Sequence, residues 1–135
     1  MPTVSLTYQG SLRTEAVHEK SNNVLLTDAP TDNHGKGETF SPTDLVATAM
    51  ISCMVTVMGI LARKRNMNMG NVSSSVEKIM VNSPRRIGGM NIIITLSNHR
   101  LSMNERHLLE QTALNCPVAK SIHPDIQTHV KFVYN

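Results

Sequence analysis

The chain has 135 residues, which suits a single domain over 1–135 that buries a hydrophobic core without disulfide bonds. Its net charge of +3 is spread along the chain, and only 3% of the residues are aromatic. Nucleic-acid modules need a basic stripe or aromatic platforms for base stacking, so the composition argues against a nucleic-acid partner.

The N-terminal part predicts three short strands followed by a loop. Polar and apolar residues alternate over 3–9 and 12–19, which predicts a β-hairpin that turns at Gly10-Ser11. A third strand is predicted over Asn23–Thr27. Residues 29–41 contain proline and glycine without periodicity and predict an exposed loop.

Within that loop, the segment HGKGE neither follows a strand nor opens a helix, as a phosphate-binding loop would. Lys36 and Glu38 are therefore expected to be solvated charges, in a loop that could border an active site. The N-terminus lacks the basic and apolar regions of a signal peptide, which predicts a cytoplasmic location.

A long helix begins after the loop. Ser41 is a predicted N-cap, Pro42 suits the first helical position, and Asp44 lies where the acidic residue of a capping box belongs. The 18 residues of Leu45–Ala62 are apolar on nearly every side. Such a helix is buried in a core or spans a membrane. Polar interruptions favour a buried central helix, so no membrane partner is expected.

The C-terminal half predicts two strands, a helix pair and a last strand. The strands cover 71–81 and 87–97, an amphipathic helix covers 103–115, and a second short helix follows Pro117. Residues 126–134 alternate and predict a final strand. The element order indicates an α+β domain in which antiparallel sheets wrap around the long helix.

We expect the two cysteines to be free or catalytic rather than bridged, because a reducing compartment disfavours structural disulfides. Their spacing fits neither a CxxC redox motif nor a zinc site, and the six histidines show no HxxxH or HxH pattern. We therefore expect no metal and no cofactor. His123, which precedes Pro124, is expected to be a surface histidine rather than a base.

Each cysteine has two interpretations. Cys53 lies in mid-helix among methionines, either as a small buried hydrophobe or beside a pocket for an apolar substrate. Cys116 precedes Pro117, either as a thiol that fills a helix junction or as the N-cap of a short helix. In the second case, backbone N–H groups would favour its thiolate.

Three segments resemble the OsmC/Ohr family across nearly the whole chain. SPTDLVATAMISC, ending at Cys53, is similar to its central-helix motif, and LNCPVAKSI, around Cys116, is similar to its second cysteine motif. YQGSLRTEA resembles its N-terminal hairpin. The resemblance implies an intertwined homodimer with active sites at the interface. It also implies a thiol peroxidase for organic or small hydroperoxides, which an external dithiol regenerates.

The resemblance also implies residue roles. Cys53 would be the peroxidatic cysteine and Cys116 the resolving cysteine. Arg13 would orient the peroxide, although a solvent-facing strand arginine is the alternative. Asp44 would be the carboxylate that holds the arginine, in place of a glutamate that the family's peroxidases have at the position of Thr43.

Helical geometry limits the role of Asp44. It precedes Cys53 by nine residues, which is about 13–14 Å along a helix and half a turn out of phase. Asp44 therefore cannot touch Cys53 of its own helix and is expected to cap the helix, to act across a dimer interface, or both. The alternative function is a thiol protein without peroxidase activity that binds a small apolar ligand in a methionine-lined pocket.

Overall fold

The computed structural model describes residues 1–135. Nine helices and strands follow one another along the chain, and the order is the predicted one. They are β1 (Val4–Gly10), β2 (Arg13–His18), β3 (Val24–Asp28), α1 (Pro42–Lys64), β4 (Asn71–Val81), β5 (Arg86–Ser97), α2 (Met103–Leu114), α3 (Pro117–Ser121) and β6 (Gln127–Tyr134). The α+β class is confirmed. The chain divides into two compact units, Met1–Val46 and Ala47–Asn135, and the single domain over 1–135 remains a proposal.

The N-terminal unit contains one antiparallel sheet of three strands in the order β1-β2-β3. The register pairs Leu6 with Ala16 and Ala16 with Leu25, so these three side chains share one face. On the other face, Arg13 at the start of β2 lies opposite Asp28 at the end of β3. A single 3-10 turn, Thr31–Asn33, interrupts the predicted loop.

The start of α1 confirms the predicted capping box. The Ser41 hydroxyl accepts a hydrogen bond from the Asp44 N–H at 3.1 Å, and the Asp44 carboxylate accepts one from the Ser41 N–H at 3.0 Å. Two of the backbone donors at the helix start are thereby satisfied. Asp44 is therefore a helix cap, as the geometric argument favoured.

The second unit has a sheet in the order β4-β5-β6. The strands β4 and β5 are antiparallel, but β5 and β6 run parallel, with Ile92 opposite Val130. The prediction of purely antiparallel sheets is therefore wrong for this sheet. The helices α2 and α3 connect β5 to β6, and such a helical crossover returns the chain to the end where β5 began.

The core of the second unit lies between α1, α2 and the inner face of this sheet. Large side chains from all three elements are fully buried: Met50, Met54, Met58, Met90, Ile92, Ile94, Leu96 and Leu109. On α1 the buried positions recur every three or four residues, the spacing of one helix face. The helix is thus buried along one stripe within the chain.

The remaining surface of α1 is unusually apolar. Val46 and Ile60 are exposed, and 28% of the most apolar 18-residue window is buried. With 23 residues and a mean hydropathy of 2.2 in that window, α1 is long and apolar enough to cross a membrane. Core helices of soluble proteins meet the same criterion, so this property alone selects neither environment.

Candidate active site

Cys53 lies on α1 next to the buried stripe. It is half-buried and packs against the core of the second unit, directly before the fully buried Met54. It is a free thiol. Its partial exposure distinguishes it from a cysteine that only fills the core, because reagents can reach a half-buried sulfur.

Cys116 is the N-cap of α3, as predicted. Its Sγ accepts a hydrogen bond from the Ala119 N–H at 3.5 Å, and Pro117 occupies the first helical turn. The residue is also free, but only 1% of it is exposed. The local sequence therefore places the thiol at a helix start, whereas the surrounding core removes it from solvent.

The Cys53 thiol lies close enough to Cys116 to affect the ionisation of Cys116. Burial raises the pKa of the Cys116 thiol above its ordinary value, and the neighbouring Cys53 raises it further. The backbone N–H groups of Ala119 and Val118 lower the pKa without offsetting burial. Of the two interpretations of Cys116, both are met in part: the residue is an N-cap, and its burial opposes the thiolate that a five-residue helix start would favour.

A cavity within the second unit is lined by sequence neighbours of both cysteines, although neither cysteine lines it. Its volume is about 260 Å³, and it is lined by Met50 and Met54 of α1, by Ala119 of α3 and by Ile122 and Ile126. Met50 and Met54 flank Cys53 in sequence, and Ala119 donates the hydrogen bond to Cys116. The cavity is therefore a place where an apolar group could lie close to the cysteines.

Arg13, in the N-terminal unit, is bound by two carboxylates. Its Nε and Nη2 atoms donate to the two carboxylate oxygens of Asp28, at 2.7 and 2.8 Å. Nη2 also donates to Glu38 at 3.0 Å. Asp28 and Glu38 surround the guanidinium, whereas Asp44 is engaged at the start of α1. The prediction that Asp44 holds Arg13 is therefore wrong within the chain, where Asp28 and Glu38 hold it.

Asp28 is the residue that sequence reasoning missed. It is 1% exposed and accepts a third hydrogen bond from the Glu38 N–H at 3.0 Å. The Arg13 guanidinium holds the pKa of Asp28 below its usual range, against the effect of burial. The signal that could have found it is the β2–β3 register, which pairs Arg13 with an acidic residue that ends an apolar strand.

Glu38 also departs from its prediction. It was expected to be a solvated charge, and 63% of its side chain is indeed exposed, but it forms an ion pair with Arg13. His123 is confirmed as a surface histidine, with 67% of its side chain exposed and Asp125 3.8 Å away. Within residues 1–135, no group of three His, Cys, Asp or Glu side chains could hold a metal ion.

Comparison with known proteins finds one protein family and many solved structures. A model of the family "OsmC-like protein" matches residues 35–131, which include both cysteines. A crystal structure from Psychrobacter arcticus 273-4 is 50% identical, has a TM-score of 0.92, and is matched over 98% of this chain and 96% of that chain. That protein has the provisional name of an osmotic stress induced and detoxification response protein.

More distant structures share the fold. An OsmC-like protein from Mycoplasma pneumoniae is 11% identical with a TM-score of 0.80, over 97% of this chain and 94% of that one. An organic hydroperoxide resistance protein OsmC from Legionella pneumophila is 17% identical with a TM-score of 0.74, over 98% of both chains. Comparison with curated protein sequences gives no match.

Proposed function

The chain belongs to the OsmC-like protein family, and we propose that it is a cysteine-based thiol peroxidase that reduces organic or small hydroperoxides. The observation that supports this most directly is the proximity of two free thiols, since Cys53 is close enough to raise the pKa of Cys116 and both residues belong to one core cluster. A disulfide can form only between cysteines that lie close together. Hydroperoxide resistance is also the function named for the Legionella pneumophila relative.

In the first step, the Cys53 thiolate attacks the terminal oxygen of the hydroperoxide. A sulfur–oxygen bond forms while the O–O bond breaks, and the released alkoxide takes a proton to become an alcohol. The cysteine loses two electrons and becomes a sulfenic acid, and the peroxide gains them. Hydrogen peroxide would react in the same way and release water.

The environment of Cys116 supports this assignment of roles. Burial and the neighbouring Cys53 both raise the pKa of Cys116, which disfavours Cys116 as the first nucleophile. Cys53 is also the more exposed of the two residues. The proposed nucleophile is therefore the half-buried thiol, Cys53, and the buried thiol, Cys116, reacts only in the second step.

In the second step, the Cys116 sulfur attacks the Cys53 sulfenic acid. The sulfur–sulfur bond forms, the sulfur–oxygen bond breaks, and hydroxide leaves with the Cys116 proton as water. Oxidation of Cys53 removes the thiolate charge that opposed the ionisation of Cys116, so the resolving thiol becomes easier to ionise when it is needed. An external dithiol then reduces the disulfide and is itself oxidised to a disulfide.

Arg13 and Asp44 also have proposed roles. Arg13 is the proposed group that orients the peroxide, and its Nη1 atom has no hydrogen-bond acceptor within the chain. Asp44 supports the site as a positioning residue, because it caps the helix on which Cys53 lies. A cytoplasmic location is part of the proposal, since a reducing compartment keeps both thiols reduced between turnovers.

We also propose a homodimer, which the exposed apolar surfaces support. Leu6 and Tyr8 are each 61% exposed on the same face of the N-terminal sheet, and Ile60 of α1 is 51% exposed. Surfaces of this kind on a soluble protein mark interaction sites. Light scattering should give twice the 14.9 kDa mass of one chain for the wild type and for Thr7→Glu, on the opposite face. Leu6→Glu should give the mass of one chain. A wild type that has the mass of one chain would refute the dimer.

The experiment that tests the proposed function is a titration of the reduced protein with cumene hydroperoxide. One equivalent of peroxide per chain should remove both thiols, because one peroxide oxidises Cys53 and the disulfide then consumes Cys116. Thiol counting and intact mass measurement follow the reaction. The product should be a single chain that is lighter by two hydrogen atoms, and a dithiol should restore it.

Two other outcomes of this titration would contradict the mechanism. Thiols that survive an excess of peroxide would show that Cys53 is not peroxidatic. A disulfide between chains, in place of one within the chain, would show that Cys116 of the same chain is not the resolving partner.

The cavity lined by Met50 and Met54 favours a second candidate function. Its walls combine apolar side chains with the polar His123 and Thr128, and its volume of about 260 Å³ could hold a small ligand with an apolar part. In that case the cysteines would contribute packing and not chemistry. The two functions differ in one measurable respect, since only the peroxidase depends on the sulfur of Cys53.

A further inference from the structure

We propose that Asp28, assisted by Glu38, positions Arg13 for peroxide reduction, an inference that rests on the proposed function. Neither carboxylate belongs to the cysteine motif, where Thr43 stands in place of the family's glutamate. The two residues are 15 and 25 positions from Arg13 in sequence and meet it only in the folded unit. They provide the carboxylate contacts that Asp44, as a helix cap, does not.

Asp28 is built as a rigid holder of one edge of the guanidinium. Its two oxygens bind Nε and Nη2 in the parallel, bidentate geometry that gives both strength and direction. Because Asp28 is 1% exposed and also accepts the Glu38 N–H, its own carboxylate has little freedom to turn. Arg13 is 26% exposed and is therefore held from its buried side.

This arrangement determines which N–H groups of Arg13 are free. A guanidinium has five N–H donors, and Asp28 and Glu38 occupy three of them, on Nε and Nη2. The two N–H groups of Nη1 have no acceptor within the chain. They are the donors that the proposal assigns to a peroxide oxygen, and their direction is set by the Asp28 contact.

Glu38 holds Arg13 more weakly than Asp28 does. Its backbone N–H binds Asp28, so the buried carboxylate also fixes the place from which Glu38 reaches Arg13. Its side chain is mostly exposed and makes one contact, which solvent screens. Two carboxylates also offset the single positive charge of Arg13, so Arg13 acts as an oriented hydrogen-bond donor more than as a net charge.

The test is a double-mutant cycle on Arg13→Met and Asp28→Asn, with Glu38→Gln as a milder variant. The matched control is Glu15→Gln. Glu15 lies on the same strand and face as Arg13, but its carboxylate binds Gln9 and not Arg13. Two quantities are measured for each purified variant: kcat/KM with cumene hydroperoxide, and the rate at which iodoacetamide alkylates Cys53, followed by peptide mass. The second readout does not require turnover.

We expect Asp28→Asn to lower kcat/KM by about 100-fold, as misplacement of a catalytic group by about 1 Å can do. Glu38→Gln should lower it about twofold to fivefold, as for an exposed ion pair, and Glu15→Gln should leave it within about twofold of the wild type. In the Arg13→Met background, Asp28→Asn should have no further effect on either rate, because it acts through Arg13.

Independent effects that multiply in the double variant would overturn the inference, since Asp28 would then act on the fold alone. If Asp28→Asn does not fold, the same cycle with Arg13→Met and Glu38→Gln decides the question by the same criterion. A wild type that does not consume hydroperoxide would overturn the proposed function instead. The alkylation cycle would then decide whether Asp28 acts on Cys53 through Arg13, and the absence of coupling would overturn the inference.

Discussion

The Cys53→Ser variant is expected to consume hydroperoxide more slowly than the wild type by about three orders of magnitude or more, as losses of a catalytic nucleophile usually are. A serine hydroxyl does not ionise near neutral pH and cannot form a sulfenic acid, so the first step has no nucleophile. Cys53 is half-buried and lies beside the core stripe, so this near-isosteric change should leave the fold intact. The measurement is the initial rate of cumene hydroperoxide loss in the presence of an excess of dithiol.

A matched control for this variant is Ser52→Ala, which changes the exposed neighbour of Cys53 on the same helix. It should retain the wild-type rate. If Cys53→Ser still consumed peroxide at the wild-type rate, the peroxidase mechanism would be wrong. The ligand-binding function of the methionine-lined cavity would then be the better account of the site.

The Cys116→Ser variant is expected to react once and then stall. Cys53 should still reduce one equivalent of peroxide, but the sulfenic acid has no neighbouring thiol with which to condense. The stalled product should be one oxygen atom heavier and should form an adduct with dimedone, which traps sulfenic acids. Steady-state turnover with dithiol should fall by about tenfold or more, because regeneration must then begin from an attack on a half-buried sulfenic acid.

The structure offers a control for the helix that Cys116 caps. Serine is a favoured N-cap, so Cys116→Ser should preserve the start of α3. Cys116→Ala removes the cap acceptor and should be less stable than the serine variant by about 1 kcal/mol. Both should lose turnover equally if the sulfur is what matters. Wild-type turnover by the serine variant would exclude Cys116 as the resolving residue.

Features that depend on neighbouring residues in sequence could be predicted well. The capping box of Ser41 and Asp44 and the helix start at Pro117 were predicted from adjacent residues alone, because caps are satisfied within one turn. The strand predicted over 71–81 has the same bounds as β4. The direction of β6 could not be predicted in this way, since alternation is the same in parallel and antiparallel strands.

The sequence by itself determined the elements, their order, the helix caps and the positions of the two cysteines, because local hydrogen bonding and periodicity are properties of neighbouring residues. Only the tertiary structure decided which face of α1 is buried, since a helix that is apolar all round has no face marked in its sequence. It also decided the partners of Arg13, because Asp28 and Glu38 reach it through strand register and loop placement. The ionisation of Cys116 depends on the same level of structure, since burial outweighs the local N–H donors that its position at a helix start provides.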